Sequence, residues 1–184
     1  MGYKYGVWLV YNSKEFTTTH VGHFTITCYM EKEDAYDLYT ILKEEYGEMH
    51  YIDVDCKNPI IFNENMYEDD DNNMGSWGYG GKSSHWNFFK DTVIDRAKNK
   101  RVSANTNTSI NTSTSTSTIN VSNKQYNYNF SPYPHTSIEY VKGSKKIVTF
   151  KQTNKCVLCK LEVVDITSDD PTQWKIITNN KQIH

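Results

Sequence analysis

The sequence has neither a long apolar run nor an excess of charge of one sign. No stretch approaches the ~20 apolar residues that a membrane-spanning helix requires, so we expect no membrane association. The 184 residues carry a formal net charge of -2, and bulk electrostatics therefore do not draw the chain onto a nucleic-acid backbone. A phosphate ligand would have to be held by local groups.

Cysteine is scarce, with 4 in the whole chain. The opening segment MGYKYGVWLVYNSKEF is strand-like and lacks the pattern of a secretory signal, so we expect a cytoplasmic protein with reduced thiols. Cys156 and Cys159 form a C-x-x-C motif, which makes a zinc-stabilised interaction protein one alternative. The motif lies in an apolar strand pattern, where residues three apart face opposite ways, and it has no second copy. We therefore expect no metal and no cofactor.

Hydrophobic periodicity predicts an α+β arrangement in a single domain spanning residues 1–184. Strands are predicted over residues 5–11, 21–30, 51–62, 134–141, 147–150, 156–166 and 174–177, and helices over residues 31–46 and 85–98.

Two polar segments interrupt this pattern. Residues 63–82 contain an acidic run and the Gly-rich GSWGYGG, and they are predicted to form a loop. Residues 103–123 consist almost entirely of Asn, Ser and Thr, with the repeat TSTSTST. Such a tract has too few apolar side chains to offset the entropy of ordering, so it is predicted to be a flexible insertion. An amyloid-like or glycosylated tract is the alternative.

Two short motifs stand out, HFT at residues 23–25 and HTS at residues 135–137, each within a predicted strand. Residues i and i+2 of a strand point to the same side, roughly 6–7 Å apart. Each motif therefore presents an imidazole and a hydroxyl together, while Phe24 and Thr136 face the other way. Two unrelated surface histidines are the alternative, since a single H-x-[ST] pattern occurs often by chance.

The side chains of the two motifs suit the cleavage of a phosphodiester. One neutral histidine can take a proton from water or from a sugar hydroxyl, and the other, protonated, can give a proton to the leaving oxygen. The hydroxyls of Thr25 and Ser137 can donate to the non-bridging oxygens, where negative charge develops. This division of labour needs no metal, and the residues alone do not say whether His23 or His135 is the acid.

The segments HFTIT and PHTSI resemble the paired signatures of the 2H phosphoesterase superfamily, which includes the LigT-like RNA cyclic phosphodiesterases and has viral branches. The resemblance covers roughly residues 3–178 apart from the Asn/Ser/Thr insertion. It implies a bilobal, pseudo-symmetric fold of two antiparallel sheets flanked by helices, with a central groove that holds both motifs. It also implies that His23 and His135 are the catalytic acid/base pair and that Thr25 and Ser137 bind phosphate.

The resemblance implies a substrate with a phosphodiester on a ribose 2'-oxygen. The candidates are a 2',3'-cyclic phosphate, a 2'-5'-linked oligonucleotide and a cyclic dinucleotide. A viral enzyme that degrades cyclic or 2'-5' nucleotide immune signals in the host cytoplasm is an alternative within the same chemistry. A non-catalytic nucleotide- or RNA-binding module is another, and no obligate protein partner is predicted.

The chain is rich in aromatic side chains, with 14 tyrosines and 4 tryptophans, and some of these are candidates for stacking on a nucleobase. Trp77 in the Gly-rich segment, Tyr133 before the second motif and Trp174 are predicted to contact substrate. Lys142 follows the second motif and is predicted to attract phosphate. His20 lies three residues before His23, so it is predicted to face away from the site and to be structural or exposed.

Overall fold

The computed structural model describes residues 4–62, 74–96, 129–142 and 153–178. The elements in chain order are β1 Tyr5–Tyr11, β2 His23–Met30, α1 Lys32–Tyr46, β3 Met49–Phe62, β4 Met74–Lys82, α2 over residues 86–96, β5 Asn129–Phe130, β6 His135–Lys142, β7 Lys155–Asp165 and β8 Lys175–Ile176. A short 3-10 helix, Pro171–Gln173, precedes β8. The predicted α+β class is confirmed. The predicted strand at residues 147–150 and the flexible insertion at residues 103–123 lie outside the described residues.

The eight described strands form one antiparallel sheet in the order β5-β2-β1-β7-β3-β4-β6, with β8 on β7. The family resemblance implies two antiparallel sheets, and in the described residues the strands form one continuous sheet. The physical reason is β7, an 11-residue strand that pairs with β1 along one edge and with β3 along the other. Counted from that β7–β3 junction, β2 and β6 are each the third strand, one on either side.

Helix α1 begins after Glu31 and ends at Gly47, as the pattern of acids and glycine predicts. Gly47 adopts a positive φ of 85° and donates its N–H to the carbonyl of Lys43, which closes the last turn. The predicted apolar stripe packs inward, with Ala35, Leu38 and Leu42 all at 0% exposure. The helix contacts β1 and β7, so it covers one face of the sheet near its middle.

Strand β4 corrects the prediction that residues up to 82 form a loop. Its glycines reflect a close approach between strands, because a Cβ on Gly78 would lie 1.7 Å from the carbonyl oxygen of Thr136 on β6. Trp77 and Tyr79 alternate with these glycines, and both pack into the core at 7% and 1% exposure. Glycine-rich composition thus marks a tightly packed strand here.

No helix in the described part of the chain is long and apolar enough to cross a membrane.

Candidate active site

His23 is the first residue of β2 and lies almost entirely buried, at 5% exposure. The indole of Trp8 on β1 stacks on its imidazole, with ring centroids 3.6 Å apart and planes inclined by 12°. Its Nδ1 donates to the carbonyl of Val21 over 2.5 Å. The ring is therefore fixed both by stacking and by a hydrogen bond to its own chain.

His135 is the first residue of β6 and is half-buried. Its Nδ1 lies 3.2 Å from the carbonyl of Tyr133 and 3.0 Å from the hydroxyl of Ser131. The Ser131 hydroxyl in turn donates to the Tyr133 carbonyl over 2.7 Å. These contacts hold the imidazole at the mouth of the loop that leads into β6.

The two histidines share one local geometry. Each begins a strand, and each directs Nδ1 to the carbonyl of the residue two positions earlier. Because a carbonyl oxygen only accepts, Nδ1 carries the proton in both rings. In the neutral form of each imidazole the lone pair for proton transfer is then on Nε2. The arrangement orients His23 and His135 for the same kind of chemistry.

The strand alternation predicted for both motifs is confirmed. Strand pairing is regular across both motifs. In the first, His23 lies opposite Val10 and Thr25 opposite Trp8. In the second, His135 lies opposite Gly80 and Ser137 opposite Gly78. Phe24 and Thr136 are fully buried on the other face, at 0% exposure. Thr25 and Ser137 are half-buried, beside the histidine of their own motif. The Ser137 hydroxyl lies 3.3 Å from that of Ser76.

The structure brings the two motif strands together although they lie on opposite sides of the β7–β3 junction. The hydroxyl of Tyr11 is 2.7 Å from the Thr136 hydroxyl, which links the end of β1 to β6. His20, in the loop before β2, donates Nε2 to the carbonyl of Ser137 over 3.1 Å. Strands β2 and β6 also contact each other directly. These contacts place the two motifs in one site.

Burial controls the protonation of both histidines. It lowers the pKa of His23 to about 3, against a smaller opposing effect of the Val21 carbonyl. Burial also lowers the pKa of His135, and the hydrogen bond to the Tyr133 carbonyl opposes that change. His23 is therefore neutral throughout the physiological pH range.

Two of the predicted aromatic contacts lie at this site. The Trp174 ring meets the His23 ring edge-on, with centroids 5.9 Å apart, and Tyr133 lies 5.5 Å from the His135 ring and is 43% exposed. Trp77 does not join them: it packs in the core and donates its indole N–H to Glu139 over 3.2 Å. This corrects the expectation that Trp77 offers a face to substrate. Lys142 ends β6 opposite Met74, and its side chain is outside the described part.

Sequence reasoning missed Trp8, which stacks on His23, and Tyr140, which packs on His20, and it misplaced His20. His20 is 8% exposed and its ring centroid is 5.9 Å from that of His23. The prediction that it faces away applied strand geometry as far back as His20, whereas β2 begins at His23. Tyr140 packs edge-on against the His20 ring, with centroids 4.9 Å apart. No pattern in the sequence indicates that Trp8 of β1 would stack on His23 of β2.

The C-x-x-C motif lies within β7, away from any turn. Cys156 is exposed and Cys159 is buried, so the two thiols point to opposite faces of the sheet, as predicted. Two ligands on opposite faces cannot share one metal ion.

Comparison of the chain with protein-family models, with curated proteins and with solved structures gave no match.

Proposed function

We propose that the chain is a metal-independent phosphodiesterase of the 2H type, with His23 and His135 as its acid/base pair. One observation carries the proposal. Two H-x-[ST] motifs far apart in sequence begin β2 and β6, and the histidine of each is hydrogen-bonded to the carbonyl two residues earlier. The fold brings these two strands together. Two unrelated surface histidines would have no reason to share tautomer, strand position and site. The substrate class, a phosphodiester on a ribose 2'-oxygen, follows the family resemblance.

We assign His23 as the general base. A base must be neutral before the reaction, and the burial of His23 against Trp8 and Trp174 favours the neutral ring and lowers its pKa. Its Nε2 then takes the proton of the attacking hydroxyl, which belongs to water or to the neighbouring ribose.

His135 is the general acid in this scheme. Burial lowers its pKa in the free protein, but a bound phosphodiester places a negative charge beside the ring and favours the imidazolium. The protonated Nε2 then gives its proton to the leaving oxygen. Substrate binding itself thus prepares the acid.

Thr25 and Ser137 bind the phosphate in this proposal. Each lies two residues after its histidine on the same side of its strand. Hydroxyl donors directed at the non-bridging oxygens stabilise the charge that develops as the new bond forms. The Ser76 hydroxyl, 3.3 Å from that of Ser137, helps to hold it in place.

We also propose the bilobal, pseudo-symmetric arrangement of the family. The support is the strand order, since β7-β1-β2 and β3-β4-β6 run outward from one antiparallel junction and the third strand of each is a motif strand, with β5 beyond β2. A 2H enzyme of this form acts in the cytoplasm on a nucleotide or short oligonucleotide. Degradation of a cyclic or 2'-5' nucleotide immune signal, as in viral members, is the specific role we would test first.

A substrate panel tests the proposal directly. Purified protein is incubated with 2',3'-cyclic nucleotides, 2'-5' oligoadenylate and mixed-linkage cyclic dinucleotides, with and without EDTA, and the products are separated by chromatography. We expect turnover of at least one substrate, unchanged by EDTA and lost in His135→Gln. Binding of these ligands with no turnover would instead favour a non-catalytic nucleotide-binding module. Loss of activity in EDTA, restored by a divalent cation, would contradict the proposed mechanism.

A further inference from the structure

A cavity of about 720 Å³ lies beside the second motif and has no role in the scheme above. Its volume is within the ~300–1,000 Å³ typical of small-molecule sites. The side chains that give it chemical character are Asp53, Asp55, Ile60, Lys82, Tyr133 and Lys155. Neither motif histidine lines it. We call this cavity the flanking pocket.

The flanking pocket is continuous with the candidate active site through two residues. Gly80 lines the pocket and is the cross-strand partner of His135. Tyr133 also lines it, and its ring lies 5.5 Å from the His135 imidazole. The neighbouring Gly81 donates its N–H to the Pro134 carbonyl over 2.8 Å, and this bond connects β4 to the residue that precedes β6. A ligand whose phosphate sits at His135 can therefore extend into the pocket.

The charges of the pocket do not favour a second phosphate. Two carboxylates, Asp53 and Asp55, balance two ammonium groups, Lys82 and Lys155. The Lys155 ammonium is already engaged, because it donates to the Glu15 carbonyl and lies 3.9 Å from the centre of the Phe16 ring. A phosphate entering the pocket would meet both carboxylates with little net positive charge to offset them.

A nucleoside fits this lining better than a phosphate does. Asp53 can accept hydrogen bonds from ribose hydroxyls and exocyclic amino groups. Asp55 already accepts from the Lys57 N–H and from Asn58, and each of its oxygens has a further lone pair for a ligand. Lys82 can donate to a base carbonyl or ring nitrogen. The 43% exposed ring of Tyr133 can stack on a base. Ile60 supplies an apolar surface for the rest of the base.

We propose that the flanking pocket binds the nucleoside on the leaving-group side of the scissile phosphate. The proposal rests on the phosphodiesterase function proposed above and gives it a substrate preference, for molecules with at least two nucleosides over cyclic mononucleotides. In the reaction, His23 accepts a proton from the attacking hydroxyl as the new P–O bond forms. The P–O bond to the leaving nucleoside breaks, and His135 gives its proton to that oxygen, so atoms and charges balance. The released nucleoside then departs from the flanking pocket.

The test compares two substrates in one set of variants. For each variant, kcat/KM is measured on a 2'-5'-linked dinucleoside monophosphate and on a 2',3'-cyclic mononucleotide. The quantity compared is the first kcat/KM value divided by the second. We expect Asp53→Ala with Asp55→Ala to lower the ratio about tenfold, the scale of losing a hydrogen bond to a charged group. Glu44→Ala removes an exposed carboxylate of α1 outside the pocket and should leave the ratio unchanged. An unchanged ratio in the double variant would overturn the proposal.

A second measurement separates this proposal from the catalytic one. Adenosine, which has no phosphate, is titrated into the intact protein and binding is followed by saturation-transfer NMR. Binding that the Asp53/Asp55 double variant weakens, but that Glu44→Ala and His135→Gln do not, supports the pocket even if no substrate is turned over. In that case the phosphodiesterase assignment fails and the nucleoside site stands. Absence of binding, or binding that the double variant leaves intact, overturns the nucleoside site.

Discussion

His23 and His135 begin their strands with the same hydrogen bond, yet their surroundings are different. His23 lies against Trp8 and Trp174 and is 5% exposed. His135 is half-buried, and beyond it opens the flanking pocket. The first environment keeps an imidazole neutral, and the second admits a ligand that can charge it. One repeated backbone device thus holds two rings that we assign to opposite roles in proton transfer.

The largest expected effect comes from removing either imidazole. His23→Gln and His135→Gln should each lower kcat by about 10²–10⁴-fold, the range attributed to general acid–base catalysis. The double variant should lose little more, because the two rings act as a unit. Steady-state kinetics on the best substrate of the panel measures this, with circular dichroism as the control for folding. A single variant that keeps more than about a tenth of the activity would contradict the assignment of that histidine.

A smaller loss is expected from the two hydroxyls. Thr25→Val and Ser137→Ala each remove one donor to the phosphate and should lower kcat/KM by about 10–100-fold. Ser137→Thr keeps the donor and should recover most of the activity, which makes it the matched control. If Ser137→Thr is as inactive as Ser137→Ala, the hydroxyl is not the important feature of that position. Equal losses at Thr25 and Ser137 would show that the two halves of the site differ at the histidines rather than at the phosphate.

The fold was more predictable from sequence than the site was. Apolar patterns in the sequence predicted β1, β7 and α1, because each of these elements buries its own set of apolar side chains in the core. Strand β4 was missed because glycine normally disfavours strands, whereas Gly78 is needed where β4 approaches the Thr136 carbonyl. That close approach involves two segments far apart in sequence, so no local pattern reveals it.

Within the site, sequence identified the two motifs and the faces of their strands, since alternation is a local property. It did not find Trp8, which stacks on His23 only because β1 and β2 pair in one particular register. It also misplaced His20, since the start of β2 depends on tertiary pairing with β1. Periodicity could not predict that the two motif strands contact each other, because that contact joins segments far apart in sequence.

A third test uses the pH dependence of stability to compare the burial of the two rings. The pKa of His23 is about 3 in the folded protein and ordinarily 6.5, so the unfolded chain binds a proton that the folded protein does not. Stability from this group is present above the ordinary pKa and is lost as the pH falls below it. Between about pH 7.5 and about pH 5.5 the loss is about 1.4 kcal/mol.

Urea unfolding at several pH values measures this loss. His23→Gln should remove about 1.4 kcal/mol of the pH dependence over that interval. His135→Gln should remove less, because His135 is less buried, although burial lowers its pKa as well. The reverse order would mean that His135 is the more deeply desolvated ring, and the assignment of base and acid would have to be exchanged.

The smallest expected effect concerns His20, which connects the two halves without carrying out proton transfer. Its Nε2 donates to the Ser137 carbonyl, so it fixes β6 relative to the loop before β2. His20→Leu removes this bond and should lower kcat about threefold to fivefold with little change in KM, the scale of one neutral hydrogen bond. His20→Gln retains a donor and should restore part of the loss. If His20→Leu instead abolished activity as completely as His23→Gln does, His20 would itself take part in proton transfer, and the site would contain three working histidines in place of two.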